Sequence, residues 1–529
     1  MVYEYTENVA PLPEISIWEL LFEQNEHDRN TKILLDADDP SQFYTLGSIT
    51  KQVLKLGGLL KQKYQWKDGE VLAVCADNHI DYIAAVHACV SIGGMSSAAD
   101  QNNNASEIAS DFQLVGAALV VTDDKHRSKV VEAAKKAGVP KGVVTFKELR
   151  RMLQNEKIDS AEPKRYSAKQ LETTPAYLYF TSGTSGGPKK AVMLSHRNVI
   201  AILSTMANDD PAPNSRALAY TDFHHVSQLI LPMHYSIFHA MPHYIMRTSE
   251  AHLDVKRICE VTQKYAITTQ LMQPYLGNYI AKAPWVDDYD LSSVQYVRCG
   301  GAKLDMSIIK GVYERLGIKV IDVYGQTECL ATMRGSWEAT LRGSAGRLAP
   351  RCQVKIMDDE GKEVPPGEIG ELWIKSPAVT IGYYRNEEAT KATIDEEGYL
   401  HSGDLFRESE GYFYFSGRKK ELIKYYLTHI YPRDIETVLN QHPSVGDCTV
   451  MGVYDPEKAT ELVTAFVVPD KQKIKASQRR DELEQEIRDF VDSRVPDPQR
   501  IRGGVHIMES FPRTAMGKVL KQELRKMIT

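Results

Sequence analysis

The chain has 529 residues, 43% of them hydrophobic and 25% charged, with 34 glycines and 24 prolines. These are ordinary values for a globular protein of two to four domains, and they exclude a collagenous, largely disordered or small disulfide-stapled chain. With 64 basic and 70 acidic side chains the net charge is −6, so no global basic field is present to hold nucleic acid.

The seven cysteines (75, 89, 259, 299, 329, 352 and 448) are scattered without a Cys-x-x-Cys pair, which fits reduced thiols better than a zinc ribbon or a disulfide framework. The opening Met1-Val2-Tyr3-Glu4 is acidic and polar and does not read as a secretory signal. The closing Lys526-Met527-Ile528-Thr529 differs from the peroxisomal Ser-Lys-Leu address. Cytoplasm is the expected compartment, with the peroxisome as the alternative.

In chain order, 71–75 reads as a buried strand and 79–92 as a helix broken by Gly93-Gly94. The most apolar stretch, 82–99, carries His87, Ser91, Ser96 and Ser97, so it is expected to be a buried helix and strand rather than a stable membrane insertion. A strand over 117–122 and a helix over 128–137, with Ser128 as N-cap, repeat the theme. Further on, a helix is expected over 258–264, a strand over 294–298, a helix over 305–316 stopped by Gly317, and a strand over 319–324. Such units form α/β layers and place their loops at the carboxyl ends of strands, where α/β folds bind ligands. From about residue 340 the text becomes β-rich, with short strands at 354–357, 370–375 and 412–415, as in a small barrel or distorted sheet. A helix at 434–440, strands at 448–453 and 462–468, and a helix at 478–495 then form a compact α+β tail. The expected fold is a large N-terminal domain, 1–419, of α/β subdomains plus a β-rich module, followed by a small mobile C-terminal domain, 420–529.

The strongest chemical signal is Thr181-Ser182-Gly183-Thr184-Ser185-Gly186-Gly187-Pro188-Lys189-Lys190, between two apolar runs. Glycines permit close backbone approach, successive N–H groups make an anion-binding concavity, and lysine adds charge. Taken alone, such a run is also a surface hairpin turn, and it is not a Walker A loop. Tyr324-Gly325-Gln326-Thr327-Glu328 follows a predicted strand and offers a ring, a glycine that lets a ligand pass, a hydroxyl and a carboxylate. Ser402-Gly403-Asp404, Gly417-Arg418-Lys419-Lys420-Glu421 and Pro512-Arg513-Thr514-Ala515-Met516-Gly517-Lys518 complete the set, each of which alone could be a solvated charge run or a capping turn.

In this order the five motifs, with Gly370-Glu371-Leu372 and Gly382-Tyr383-Tyr384 between them, resemble the adenylate-forming superfamily of acyl-CoA synthetases, peptide adenylation domains and beetle luciferases. The chain most resembles its 4-coumarate–CoA ligase and acyl-CoA ligase branch. The resemblance implies that Thr181, Ser182, Gly183, Thr184, Ser185, Gly186 and Lys189 cradle the ATP phosphates, with Cys299-Gly300-Gly301-Ala302 along adenine. It further implies that Tyr324 stacks on the base, Thr327 touches the α-phosphate, and Glu328 with Thr184 holds Mg²⁺. Asp404 and Arg418 would hold the ribose, Phe223-His224 would flank the acyl pocket, and Lys518 would bridge carboxylate and α-phosphate. Lys420 would be the hinge, and Lys424 in the stretch after it is carried with the catalytic candidates. The implied reaction is MgATP-dependent activation of a small carboxylic acid as acyl-adenylate, followed by transfer to CoA, by a monomer or homodimer.

Three departures bear on that reading. The family's Lys-Gly of the pantetheine tunnel is Tyr426-Leu427 here, and a branched side chain there could obstruct the thiol and favour a carrier-protein pantetheine, another acceptor or luciferase-like oxygenation. The phosphate loop carries an extra residue, so Lys189 or Lys190 could be the functional cation. Leu330 after Glu328 is expected to narrow or redirect the acyl pocket.

Overall fold

The run Val71–Cys75 forms a strand with both faces in the interior: Leu72 and Val74 join one apolar cluster, and Val71, Ala73 and Cys75 join another. A strand covered on both sides loses polar alternation and reads as a continuous apolar run. The computed structural model describes all residues except 1, 156, 182–188, 207–211, 248–253, 302–305, 427, 471–472, 475–478, 514–517 and 529.

Val71–Cys75 is central in a six-stranded sheet ordered Val143–Thr145, Ala117–Thr122, Val71–Cys75, Met95–Ala98, Pro175–Thr181 and Lys190–Ser195. All pairs in it are parallel except the last, in which Thr181 faces Lys190 at the ends of the two strands. The expected helix after the first strand is Ile80–Ser91, capped by the His79 ring, which accepts from the Asp81 N–H at 3.0 Å. The helix expected over 128–137 is Arg127–Ala137, and Ser128 is not its cap. The Asp123 carboxylate accepts the His126 N–H at 2.8 Å and so takes the capping role one turn earlier.

A second sheet of seven strands runs Lys319–Asp322, Tyr296–Cys299, Thr269–Met272, Ala217–Ala219, His243–Ile245, Lys32–Asp36 and Phe43–Thr45, parallel except for the final pair. The helices expected near 258–264 and 305–316 are Val255–Tyr265 and Met306–Leu316, and residue 305 lies outside the described residues. The β-rich module is an open sheet of five antiparallel strands rather than a barrel: Tyr3–Glu4, Gln353–Met357, Gly370–Lys375, Leu400–Ser409 and Tyr412–Arg418.

The C-terminal segment pairs two long strands, Val445–Asp455 and Thr460–Pro469, with Val505–Ile507 parallel at the edge. The helices Pro432–Leu439 and Arg480–Asp492 bury Ile435, Leu439, Leu483 and Ile487 against it. The hairpin Ile423–Tyr425 with Thr428–Ile430 joins this core through Ile423 and Ile430. At its turn Tyr426 is 59% exposed and holds φ at +51°, a left-handed geometry that costs a non-glycine residue about 1 kcal/mol. Asparagine tolerates that region, so Tyr426→Asn is expected to stabilise the protein by about 0.5–1 kcal/mol. A raised urea midpoint at unchanged slope is the readout, and an unchanged or lowered midpoint would mean the turn stores no strain.

Among the described residues no helix is long and apolar enough to cross a membrane. All seven cysteines are free thiols, six of them buried.

Candidate active site

The five parallel strands Ala217–Ala219, His243–Ile245, Thr269–Met272, Tyr296–Cys299 and Lys319–Asp322 end on one side of their sheet, and the residues just beyond those ends line a cleft of about 2020 Å³. Thr221 and His224 follow the first of these strands, Met246 and Arg247 the second, Gln273 the third, Gly300 and Gly301 the fourth, and Tyr324 to Glu328 the fifth. The cleft is also lined by Asp404 and Arg418 of the antiparallel sheet and, from the C-terminal segment, by Asp447, Arg513 and Lys518.

The best-organised part is centred on Asp404, which is 2% exposed. Its Oδ1 meets Arg418 Nε at 3.1 Å; its Oδ2 accepts the Tyr324 hydroxyl at 2.9 Å and Gln326 Nε2 at 2.6 Å. Gln326 also donates to the Ser402 carbonyl at 2.9 Å, so its amide ties the two strand ends together. The Tyr324 ring is wedged edge-on against Phe406 at 4.8 Å between centroids. Burial pushes the Asp404 carboxyl up, while Arg418 and the Gln326 and Tyr324 hydrogen bonds pull it back. Arg418 is 38% exposed and lines the cleft.

Gly300 is forced by close approach: a Cβ there would come within 2.8 Å of Val323 Cγ2 and 3.0 Å of the Val323 carbonyl oxygen. Gly301 holds φ at +86°, outside the range L side chains favour. Together they give a flat backbone edge beside Tyr324.

Lys518 lies in the same cleft, and burial, with Arg418 adding in the same direction, pushes its ammonium down to about 8. Glu421 and Asp404 act against that shift. Glu421 is in turn raised by burial yet held below the ordinary carboxylate range by Lys521, Lys518 and Arg418. Glu328 lines the cleft with one carboxylate oxygen accepting the Tyr383 hydroxyl at 2.9 Å. Lys189 lines it too, held by both oxygens of buried Asp111 at 3.0 Å, whereas Lys190 lies over the Tyr383 ring at 4.5 Å. His224 places Nε2 3.8 Å from Asp100 and buries Nδ1 without a hydrogen-bond partner. Leu330 also lines the cleft, as its sequence position suggests.

The structure thus brings Thr181, Lys189, His224, Gly300, Gly301, Tyr324, Gly325, Thr327, Glu328, Asp404, Arg418, Lys420 and Lys518 to one cleft. Lys424 stands apart: it is exposed on the hairpin Ile423–Tyr425, its N–H donating to Glu461 at 2.8 Å and its carbonyl accepting Thr460 Oγ1 at 3.0 Å. Ser182, Gly183, Thr184, Ser185, Gly186, Ala302 and Leu427 lie outside the described residues. Sequence reading passed over Gln326, Asp111 and the Tyr383 hydroxyl as site groups. Gln326 was visible only as the variable position of its motif.

Residues 21–384 match the AMP-binding enzyme family and residues 434–518 match the AMP-binding enzyme C-terminal domain. The chain is similar to the acyl-CoA ligase azaF of Aspergillus niger, 28% identical over 543 residues, covering 97% of this chain and 98% of that one. It is also 28% identical over 501 residues to a luciferin 4-monooxygenase of Photuris pensylvanica, covering 90% of this chain and 89% of the other. In fold it resembles ATP-bound MatB from Rhodopseudomonas palustris, with a TM-score of 0.84 at 22% identity over 97% of this chain and 98% of that one.

Proposed function

The chain belongs to the AMP-binding enzyme family, and on that premise we propose that it is an AMP-forming acid–CoA ligase with its active site in the cleft described above. The observation that carries the residue roles is the meeting of Lys518 with the Asp404–Arg418–Tyr324 network in one cleft. Relatives named acyl-CoA ligase, phenylacetyl-CoA ligase and 4-coumarate–CoA ligase support a carboxylic acid, ATP and CoA as substrates.

In the first half-reaction a carboxylate oxygen attacks the α-phosphorus of ATP, and the bond to pyrophosphate breaks with its electron pair leaving on pyrophosphate. No general base is needed, because an ordinary carboxylic acid, with a pKa of about 4, is already ionised at neutral pH. The obstacle is repulsion between anions. Lys518 offsets it by holding the attacking carboxylate and the α-phosphate together, and Lys189 by facing the outer phosphates. Asp404 accepts the ribose hydroxyls while Arg418 donates to them, and Tyr324 with Gly300 and Gly301 flanks the base.

The oxygen donors Glu328 and Thr184 suit Mg²⁺, a hard cation, and would hold it. When bound, the ion spreads the charge that develops on the leaving pyrophosphate. In the second half-reaction the CoA sulfur, as thiolate, attacks the acyl carbonyl and AMP leaves with the carbonyl–oxygen bond electrons. We take 1–419 and 420–529 as the two bodies that turn about Lys420 between these steps, which withdraws Lys518 and brings the hairpin of Lys424 toward the cleft.

The test is acid-dependent exchange of labelled pyrophosphate into ATP. Exchange supports adenylate formation, and its absence with every acid tried would overturn it. The pH dependence is specific: Lys518 is charged below about 8 and neutral above it. For the free enzyme, kcat/KM of adenylation is therefore expected to be flat near pH 7 and to fall about tenfold per pH unit above 8. Lys518→Arg, whose guanidinium stays protonated, is expected to lower the plateau and abolish that basic limb. A limb that survives in Lys518→Arg would assign it to another group.

A further inference from the structure

Residues 380–384 tie the strand Lys190–Ser195 to the turn that carries Glu328. Thr380 donates its N–H to the Glu328 carbonyl at 2.8 Å and its hydroxyl to the Met193 carbonyl at 2.6 Å. The Met193 N–H donates in turn to the Gly382 carbonyl at 2.9 Å, and the Tyr384 N–H to the Ala191 carbonyl at 2.8 Å. The Thr390 hydroxyl accepts the Tyr383 N–H at 2.9 Å, which fixes the backbone between these ties. So held, Tyr383 is 6% exposed, with the Lys190 ammonium over its ring and its hydroxyl donating to Glu328 Oε1. Lys190, Glu328, Tyr383 and Thr393 all line the cleft. Burial and then Glu328 push the Tyr383 phenol up, while the Thr393 hydroxyl acts the other way. The phenol therefore keeps its proton at any working pH and gives it to the carboxylate.

We propose that Tyr383 is a positioning residue for the Mg²⁺ that accompanies ATP: its hydroxyl fixes Glu328 by one oxygen and leaves the other for the ion, while its ring keeps Lys190 from pairing with that carboxylate. This rests on the reading of the cleft as an ATP site with Glu328 as metal ligand. A direct Lys190–Glu328 pair would cancel both charges, whereas a ring face attracts an ammonium without neutralising it. Partners that orient a ligating group are typically worth tenfold or more in metal affinity. A hydroxyl that only satisfied its own burial would make the same contact, but its loss would not depend on the ion.

The experiment measures binding of α,β-methylene-ATP by calorimetry, with Mg²⁺ and with EDTA, in wild type, Tyr383→Phe, Glu328→Gln and the double variant. Phenylalanine keeps the ring and its packing, so the fold is expected to hold. Mg²⁺ is expected to tighten the wild-type complex, and Tyr383→Phe to cut that tightening by about tenfold while leaving the affinity in EDTA within about twofold. In the Glu328→Gln background the same substitution is expected to change the affinity with Mg²⁺ by less than about twofold. An unchanged tightening in Tyr383→Phe, an equal loss with and without Mg²⁺, or the same loss in the Glu328→Gln background would overturn the inference. Acid-dependent pyrophosphate exchange by the wild-type protein separates the failures. With exchange present, any of those results overturns this inference alone; its absence with every acid overturns the reading beneath it.

Discussion

Lys518→Ala is expected to slow acid-dependent pyrophosphate release by about 10²–10³ while ATP still binds within about threefold of wild-type affinity. The asymmetry follows from where charge develops. On the proposed reading the nucleotide has other partners in the ground state, Lys189 for its outer phosphates and Arg418, beside Asp404, for its ribose. Only when the carboxylate approaches phosphorus do two anions meet, and Lys518, which the C-terminal segment places near Asp404 and Arg418, is then needed. Single-turnover measurement separates the two effects. A loss confined to the KM for ATP would mean that Lys518 binds nucleotide uniformly and does not act at the transition state.

Asp404→Ala is expected to show the opposite split, raising the KM for ATP by about 10²–10⁴, as two lost charge-assisted hydrogen bonds at about 1.5–3 kcal/mol each would imply. The substitution removes the acceptor from the Tyr324 hydroxyl and Gln326 as well as the partner of Arg418 Nε. Leaving such groups unpaired should also lower stability by about 1–3 kcal/mol. Asp404→Asn separates the two consequences: it keeps an oxygen for Tyr324 and recovers most of the stability, yet lacks the charge and stays weak for ATP. Equal ATP affinity in wild type and both variants would remove Asp404 from the nucleotide site.

Much of the layered fold was legible because its strands are buried on both faces. Ala117–Thr122, for example, sends Ala118, Leu119 and Val121 to one cluster and Ala117 and Val120 to the other, which leaves no polar residue before Thr122. The edge strand Tyr3–Glu4 was not legible, since two residues carry no periodicity and their pairing with Val354 and Gln353 spans most of the chain. Ser128 misled because a good capping residue near a helix start says nothing of a carboxylate one turn earlier that takes the His126 N–H. In the site, the order of the motifs pointed to the cleft, but the groups that hold them in place come from afar. Tyr383 reaches Glu328 across 55 positions, and Gln326 reaches Asp404 across 78. No local pattern encodes such pairings, and the outward placement of Lys424 has no signature in the text.

The most direct measurement is pyrophosphate release from ATP and Mg²⁺ over short, medium, long-chain and aryl acids, with and without CoA, with acyl-CoA read by mass. An acid–CoA ligase gives acid-dependent pyrophosphate that CoA stimulates, with the matching thioester as product, so that Tyr426-Leu427 is a tolerated variant of the tunnel. Acid-dependent pyrophosphate without thioester would contradict the CoA step, and no acid-dependent pyrophosphate at all would contradict the central claim.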